Sequence, residues 1–261
     1  MKILFIGLDG LRLDCLKSAN IPCLNKLKSD SIYSMNSKIN TRTISGPSWS
    51  CILSGFKEKK TGIYGNKDVE DEKFKWKTNN LFRELNKRNI ENKSFVSTWT
   101  GMKHLTQECP KVYFIKRKNE MLADKLTIEK TIVEIKKETI KNKNKDKFLF
   151  TYLDSIDNAG HLYGYSTKIK KYIDAIELID KLLEPLIKIA KKNNYNIFIT
   201  TDHGGYKKKK SKKKNDYYGN HTKKKTSTSK VFQIYYGNDF IKNKIEKKNN
   251  KNIFKNLISH F

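Results

Sequence analysis

Three short apolar runs in this chain each end in an aspartate, and that arrangement limits the possible folds more than any other feature. They span residues 2–9, with Ile3, Leu4, Phe5 and Ile6 in a row, then 148–154 and 195–202. Unbroken apolar runs of this length read as strands buried on both faces, the pattern of a parallel sheet covered by helices. Further strands are expected at 32–37, 94–99 and 231–236, and helices at 21–27, 47–53, 80–87, 123–140 and 169–190. The last helix carries Ile173, Ile176, Ile179, Leu183 and Leu186 at helical spacing, and Pro185 is expected to kink or interrupt it. Strands alternating with helices predict an α/β fold, a mostly parallel central sheet with helices on both faces. The 261 residues are expected to form one domain. Ligands of open α/β sheets bind at the carboxyl ends of strands, so Asp9, Asp154 and Asp202 mark where a site would form.

The chain carries 55 lysines and arginines against 27 acidic residues, a formal charge of +28. Such a charge suits anionic partners: nucleic acid, acidic membrane surfaces or phosphorylated substrates. Lysine and asparagine are nevertheless abundant everywhere, including plain helix surfaces, as expected of a coding bias that filled solvated positions. The densest stretch, 207–225, holds ten lysines and reads as a basic low-complexity loop, and 242–251 reads as solvated surface. Cys15, Cys23, Cys51 and Cys109 show no paired spacing, which predicts free thiols in a reducing compartment rather than a disulfide framework or zinc knuckle. The N-terminal apolar run stops at Asp9, too short for a signal-peptide core, and no stretch approaches the ~20 apolar residues of a membrane span. A cytoplasmic location is the expectation.

Asp202, His203 and Gly204 follow the third run directly; taken alone they read as a turn. Asp157 and His161 stand four apart and can share one ion if they share a helical turn, although a polar loop with a capping aspartate fits equally. His221 lies in Gly219-Asn220-His221-Thr222. Of five histidines, His161, His203 and His221 follow or lie near strand-end acids, whereas His104 and His260 read as structural or surface residues. Three histidines, three aspartates (Asp9, Asp157, Asp202) and one hydroxyl suffice for two divalent ions in mixed nitrogen and oxygen ligation.

In this order and spacing the residues resemble the alkaline phosphatase superfamily, in particular its type I phosphodiesterase/nucleotide pyrophosphatase branch. The similarity runs over 2–237. The segment Thr43-Ile44-Ser45-Gly46-Pro47-Ser48-Trp49 corresponds to the nucleophile segment, and the resemblance implies Ser45 as nucleophile, with Thr43 the less favoured choice. It implies Asp157, His161 and His221 as ligands of one metal, and Asp9, Asp202 and His203 as ligands of the other, which also holds the Ser45 oxygen. Asn66 corresponds to the amide that stabilises the phosphoryl oxygen. The branch usually has histidine where Thr61 stands and a proline within 56–60, which this chain lacks.

The expected chemistry is attack by Ser45 on a phosphate ester through a phospho-serine intermediate, with backbone N–H groups just ahead of a helix helping to hold the phosphoryl group. The histidine share favours zinc, and manganese suits the same set. The expected substrate is a phosphorylated small molecule, with nucleotides included. A phosphomonoesterase is an alternative, drawing a cation from the lysines at 207–214. A sulfatase is another, since Ser45-Gly46-Pro47-Ser48 is similar to the sulfatase signature, but Trp49 stands where that signature has arginine. A third reading is an inactive relative that binds nucleic acid through the basic loop.

Overall fold

The computed structural model describes residues 1–141, 145–208, 218–223, 225–242 and 249–261. Its strands are β1 (Lys2–Leu8), β2 (Ser31–Lys38), β3 (Glu91–Ser97), β4 (Val112–Ile115), β5 (Lys147–Leu153), β6 (Asn196–Thr201), the short pair β7 (Tyr206–Lys207) and β8 (Gly219–Asn220), and β9 (Lys230–Tyr236). Seven of them form one sheet in the order β2-β9-β6-β1-β5-β3-β4. From β6 to β4 every neighbour is parallel; β9 runs antiparallel to β6, and β2 antiparallel to β9. The helices are α1 (Pro22–Ser29), α2 (Ser45–Ser54), α3 (Glu58–Thr61), α4 (Lys67–Glu70), α5 (Leu81–Lys87), α6 (Thr100–Leu105), α7 (Glu120–Lys141), α8 (Ser155–Tyr163), α9 (Lys170–Lys192), α10 (Thr226–Ser229), α11 (Asn238–Lys242) and α12 (Asn252–Ile258).

Alternation along β1 explains why both faces are covered. Leu4, Ile6 and Leu8 pack into a core with α1, α8 and α9, while Ile3 and Phe5 pack into a second core with α2, α5 and α12. Phe5 lies in register with Phe150 on β5 and with Phe198 on β6, its ring centroid 4.9 and 4.8 Å from theirs. Aromatic pairs at such separations contribute about 0.5–1.5 kcal/mol each beyond their burial. A one-residue slip would turn each ring to the opposite face, so this ladder fixes the register of the three central strands. The same register aligns Leu8 with Leu153 and Thr201, and Asp9, Asp154 and Asp202 therefore leave the sheet side by side.

The structure departs from the sequence reading at three points. α9 is not interrupted at Pro185, which lies on the exposed face, where water can satisfy the carbonyl that loses its N–H partner. Strand β4 carries only four half-buried residues, too few to show an alternation. Within 242–251, Asn250 is buried rather than solvated, because its Oδ1 accepts from the Asn40 amide (3.1 Å) and its Nδ2 contacts Ser48 Oγ (3.4 Å). Of the basic loop, residues 209–217 and 224 lie outside the described residues, and its two ends pair as β7 and β8.

Candidate active site

Asp9 is completely enclosed at the end of β1. Its Oδ2 accepts from Trp49 Nε1 at 2.9 Å and from the Tyr152 hydroxyl at 2.5 Å. With that oxygen saturated, Oδ1 is turned toward Ser45 Oγ (3.5 Å) and His203 Nε2 (3.6 Å). Asp202 Oδ1 accepts the Gly10 amide at 3.2 Å. Its Oδ2 is buried 3.3 Å from His203 Nε2 and has no hydrogen-bond partner among the described residues.

Ser45 is the first residue of α2 rather than the residue before it. Ile44 is the extended N-cap, and Pro47 occupies the first turn, where a missing N–H costs nothing. Ser45 Oγ stands 3.2 Å from His203 Nε2. Of the backbone N–H groups at this helix start, that of Gly46 is taken by Asn66 Oδ1 at 2.8 Å. With that oxygen engaged, the NH2 of Asn66 is the part available to the cleft the residue lines. Gly46 has no room for a side chain, since a Cβ would come 2.7 Å from the Gly65 carbonyl oxygen. Thr43 turns away from the cleft and donates to the His221 carbonyl.

The segment Asp157 to His161 does share a helical turn, in α8, so both side chains emerge on one face. Asp157 Oδ2 lies 3.1 Å from His161 Nε2, which lies 3.2 Å from His221 Nε2. Two of the histidines have their tautomer set by a carbonyl oxygen, which can only accept. His221 Nδ1 donates to Thr43 O (2.6 Å) and His203 Nδ1 donates to Gly204 O (3.0 Å), so each Nε2 carries its lone pair into the site. Tyr165 completes this wall. Its hydroxyl donates to Asp157 Oδ1 at 2.5 Å, and its ring is wedged where a Cβ on Gly160, Gly205 or Gly219 would sit 2.1, 2.2 or 2.7 Å from it.

Crowding of these groups drives their ionisation apart. Burial, and then the charge of Asp157, pushes Asp9 up to about 7, against the donations from Tyr152 and Trp49. Burial and neighbouring Asp9 and Asp157 raise Asp202 well above its ordinary value. Burial and Asp9 do the same to Asp154. Burial alone would raise Asp157 too, but the surrounding His161, His221 and His203 outweigh it and hold its carboxyl well below the usual range. Burial lowers His203 and His221, whereas Asp157 overcomes burial at His161 and raises it. Repelling carboxylates, lone-pair nitrogens and an orphaned Asp202 oxygen are what a divalent cation would relieve. Among the described residues, two groups could hold a metal ion: Asp157, His161 and His221, and Asp9, Asp157 and His203. Asp202 adjoins the second group through His203.

A cleft of about 330 Å³ opens onto Ser45, Asn66, Asp157 and His161, with Trp99 and Asp154 on its walls. His104 and His260 stay outside it: His104 Nδ1 lies 2.8 Å from Val69 O, and His260 packs on Phe240 with ring centroids 4.8 Å apart. Sequence reasoning missed Trp49, Tyr152 and Tyr165. Signals for two of them existed. Trp49 stands four residues after Ser45 on one helix, so the two share a face, and Tyr152 lies two residues before the aspartate that follows β5. Tyr165 had none, because α8 ends at Gly164 (φ +103°) and breaks the helical spacing.

The sheet, its helices and the strand-end site together define an alkaline phosphatase-like α/β architecture. The sequence model of the type I phosphodiesterase / nucleotide pyrophosphatase family matches residues 3–261, and the chain belongs to that family. Human bis(5'-adenosyl)-triphosphatase ENPP4 is 24% identical over 221 residues, 78% of this chain and 47% of that protein. The chain thus spans about half the length of that curated relative. Murine ectonucleotide pyrophosphatase / phosphodiesterase 5, in an inactive form in complex with AMP, superposes with a TM-score of 0.78 at 14% identity over 100% of this chain and 94% of that one. A 2-O GAG sulfatase superposes with a TM-score of 0.70 at 12% identity, covering 99% of this chain and 70% of that one. No helix among the described residues is long and apolar enough to cross a membrane.

Proposed function

We propose that this chain is a metal-dependent phosphodiester hydrolase acting through Ser45. The observation that carries the reading is Ser45 Oγ, held within 3.2 Å of His203 Nε2 and 3.5 Å of Asp9 Oδ1 beside two Asp/His groups able to hold a cation. One ion would be held by Asp157, His161 and His221, the other by Asp9, Asp202, His203 and the Ser45 oxygen. Zinc suits three imidazole ligands, and manganese is compatible. Such ions, when bound, favour the serine alkoxide and offset phosphoryl charge. Ser45 Oγ attacks phosphorus, the bond to the leaving alcohol breaks, and water then hydrolyses phospho-Ser45. The Asn66 NH2 donates to a phosphoryl oxygen, and Trp49 and Tyr152 keep Asp9 Oδ1 aimed at the nucleophile.

Nucleotide phosphoesters are the substrate class we favour, since one relative is named for a bis-adenosyl triphosphate and another was solved with AMP. A diester fits better than a dianionic monoester: no lysine or arginine stands among the described residues lining the cleft. We assign the basic stretch at 207–225 a role in attracting polyanions, nucleic acid among them. All four cysteines are unpaired, which supports a reducing, cytoplasmic setting.

The test is hydrolysis of a nitrophenyl phosphodiester by zinc-loaded protein, with the monoester and the sulfate in parallel. Diester turnover that disappears with chelator and in Ser45→Ala is the expected result. Preferred monoester or sulfate turnover moves the enzyme to a neighbouring branch. Absence of turnover in folded protein that binds neither zinc nor manganese removes the hydrolase reading.

A further inference from the structure

One buried carboxylate lies behind the cleft and takes no part in the chemistry above. Asp124, on the first turns of α7, has no solvent exposure. Its Oδ1 accepts the backbone N–H of Asp154 at 3.1 Å and its Oδ2 that of Ser155 at 3.0 Å. Burial pushes its carboxyl up, and the neighbouring Ser155 and Ser97 side chains act against that push.

Each partner leads to a different wall of the site. Asp154 is the N-cap of α8 but makes no capping bond of its own. Helices leave their first N–H groups without internal partners, and an anion there also complements the helix dipole. Here the cap comes from another helix, so Asp124 sets how α8 leaves β5, and with it where Asp157 and His161 point. Ser97 ends β3 and precedes Thr98, a β-branched residue at φ +46°. Such a conformation persists only where the surroundings over-determine it. The Thr98 turn delivers Trp99 to the cleft, where its Nε1 donates to Glu70 Oε1 at 2.7 Å.

We propose that Asp124 is a positioning residue that ties the α8 wall carrying Asp157 and His161 to the Trp99 wall, and so sets the geometry of the metal site and the cleft between them. This rests on the metal-dependent reading of the site. Asn in its place keeps the shape but sets an NH2 against one of the two backbone donors, so the cap is half lost.

The experiment is zinc titration of chelator-stripped protein, with thermal melting alongside. The variants are Asp124→Asn, Ser97→Ala and, as a control on the same helix, Thr131→Val, which removes a buried contact to Thr151. Asp124→Asn is expected to weaken one zinc equivalent by about 10–100-fold, the range for outer partners of metal ligands, and to leave the other near wild type. Thr131→Val lowers the melting temperature without changing zinc affinity. Ser97→Ala, which cuts only the tie to the Trp99 turn, raises KM for the diester and leaves zinc affinity unchanged. The proposal is overturned if folded Asp124→Asn binds both equivalents like wild type, or if Thr131→Val weakens zinc equally at the same loss of melting temperature. Should Asp124→Asn fail to fold, Ser97→Ala decides, and an unchanged KM overturns the proposal. Wild type that binds no zinc sinks both this proposal and the hydrolase reading, whereas intact zinc binding without turnover of any ester removes the hydrolase reading alone.

Discussion

The Nε2 atoms of His161 and His221 face each other at 3.2 Å although sixty residues separate them, and Asp157 Oδ2 closes the triangle 3.1 Å from the first. The His221 tautomer, fixed through Thr43, leaves a lone pair facing into this triangle. Replacing His221 by alanine should therefore remove one zinc equivalent while the protein stays folded. The expected affinity loss exceeds the roughly 100-fold upper range for outer-shell changes, because a ligand itself is removed. Calorimetric zinc titration checks this, and unchanged stoichiometry would remove His221 from the ligand set.

Acid-base behaviour of the metal-free protein follows from the same crowding. Asp9, raised from 3.8 to about 7, and the likewise raised Asp154, Asp202 and His161 bind more protons in the folded than in the unfolded chain. Groups of this kind contribute stability below their unfolded pKa or at it, and that stability is lost as pH rises through the folded value. The lowered His203 and His221 act in the opposite sense only below their ordinary value of 6.5, and Asp157 acts at still lower pH. Chelated protein should thus melt at lower temperature as pH rises from about 6.5 to 8. Zinc should cancel this decline, because it replaces the expelled protons. A melting temperature that climbs with pH in chelated protein would contradict the assignment.

Asn66 offers a test of the phosphoryl pocket that leaves the metal groups untouched. Loss of a single donor to a developing oxyanion costs about 10²–10³ in kcat. Asn66→Ala should show a loss of that size with zinc binding intact. Asn66→Asp should lose more, since a carboxylate would face the phosphate. A loss confined to KM would mean that Asn66 serves ground-state binding only.

Pro185 predicts a stability gain away from the site. A proline inside a helix costs about 3 kcal/mol, offset by about 0.4–1 kcal/mol because it also restrains the unfolded chain. Pro185→Ala should stabilise the protein by about 2 kcal/mol, read by urea unfolding. Destabilisation would show that α9 accommodates Pro185 without that cost.

Much of this architecture was legible because the signals are local. The apolar runs of β1, β5 and β6 announced a parallel sheet, and their terminal aspartates placed a site at its carboxyl edge. The four-residue spacing of Asp157 and His161 became readable once a helix was assumed. Positions set by tertiary contact were not legible. Nothing near Tyr165 in sequence shows that glycines from three separate segments leave space for its ring. Nothing around Gly46 shows that Asn66 would claim its amide. Pro185 misled because propensity argues for a break, whereas burial of Ile179, Leu183, Leu186 and Ile187 on the other face holds the helix together.

Pairing of Tyr206 with Asn220, and of Lys207 with Gly219, closes the basic stretch at its base, immediately before His221. Doubling a loop's length costs only about 0.6 kcal/mol in closure entropy, so a longer or shorter connection from Lys207 to Gly219 would tax these two rungs little. The two rungs thus separate the placing of His221 from the length of chain that joins them.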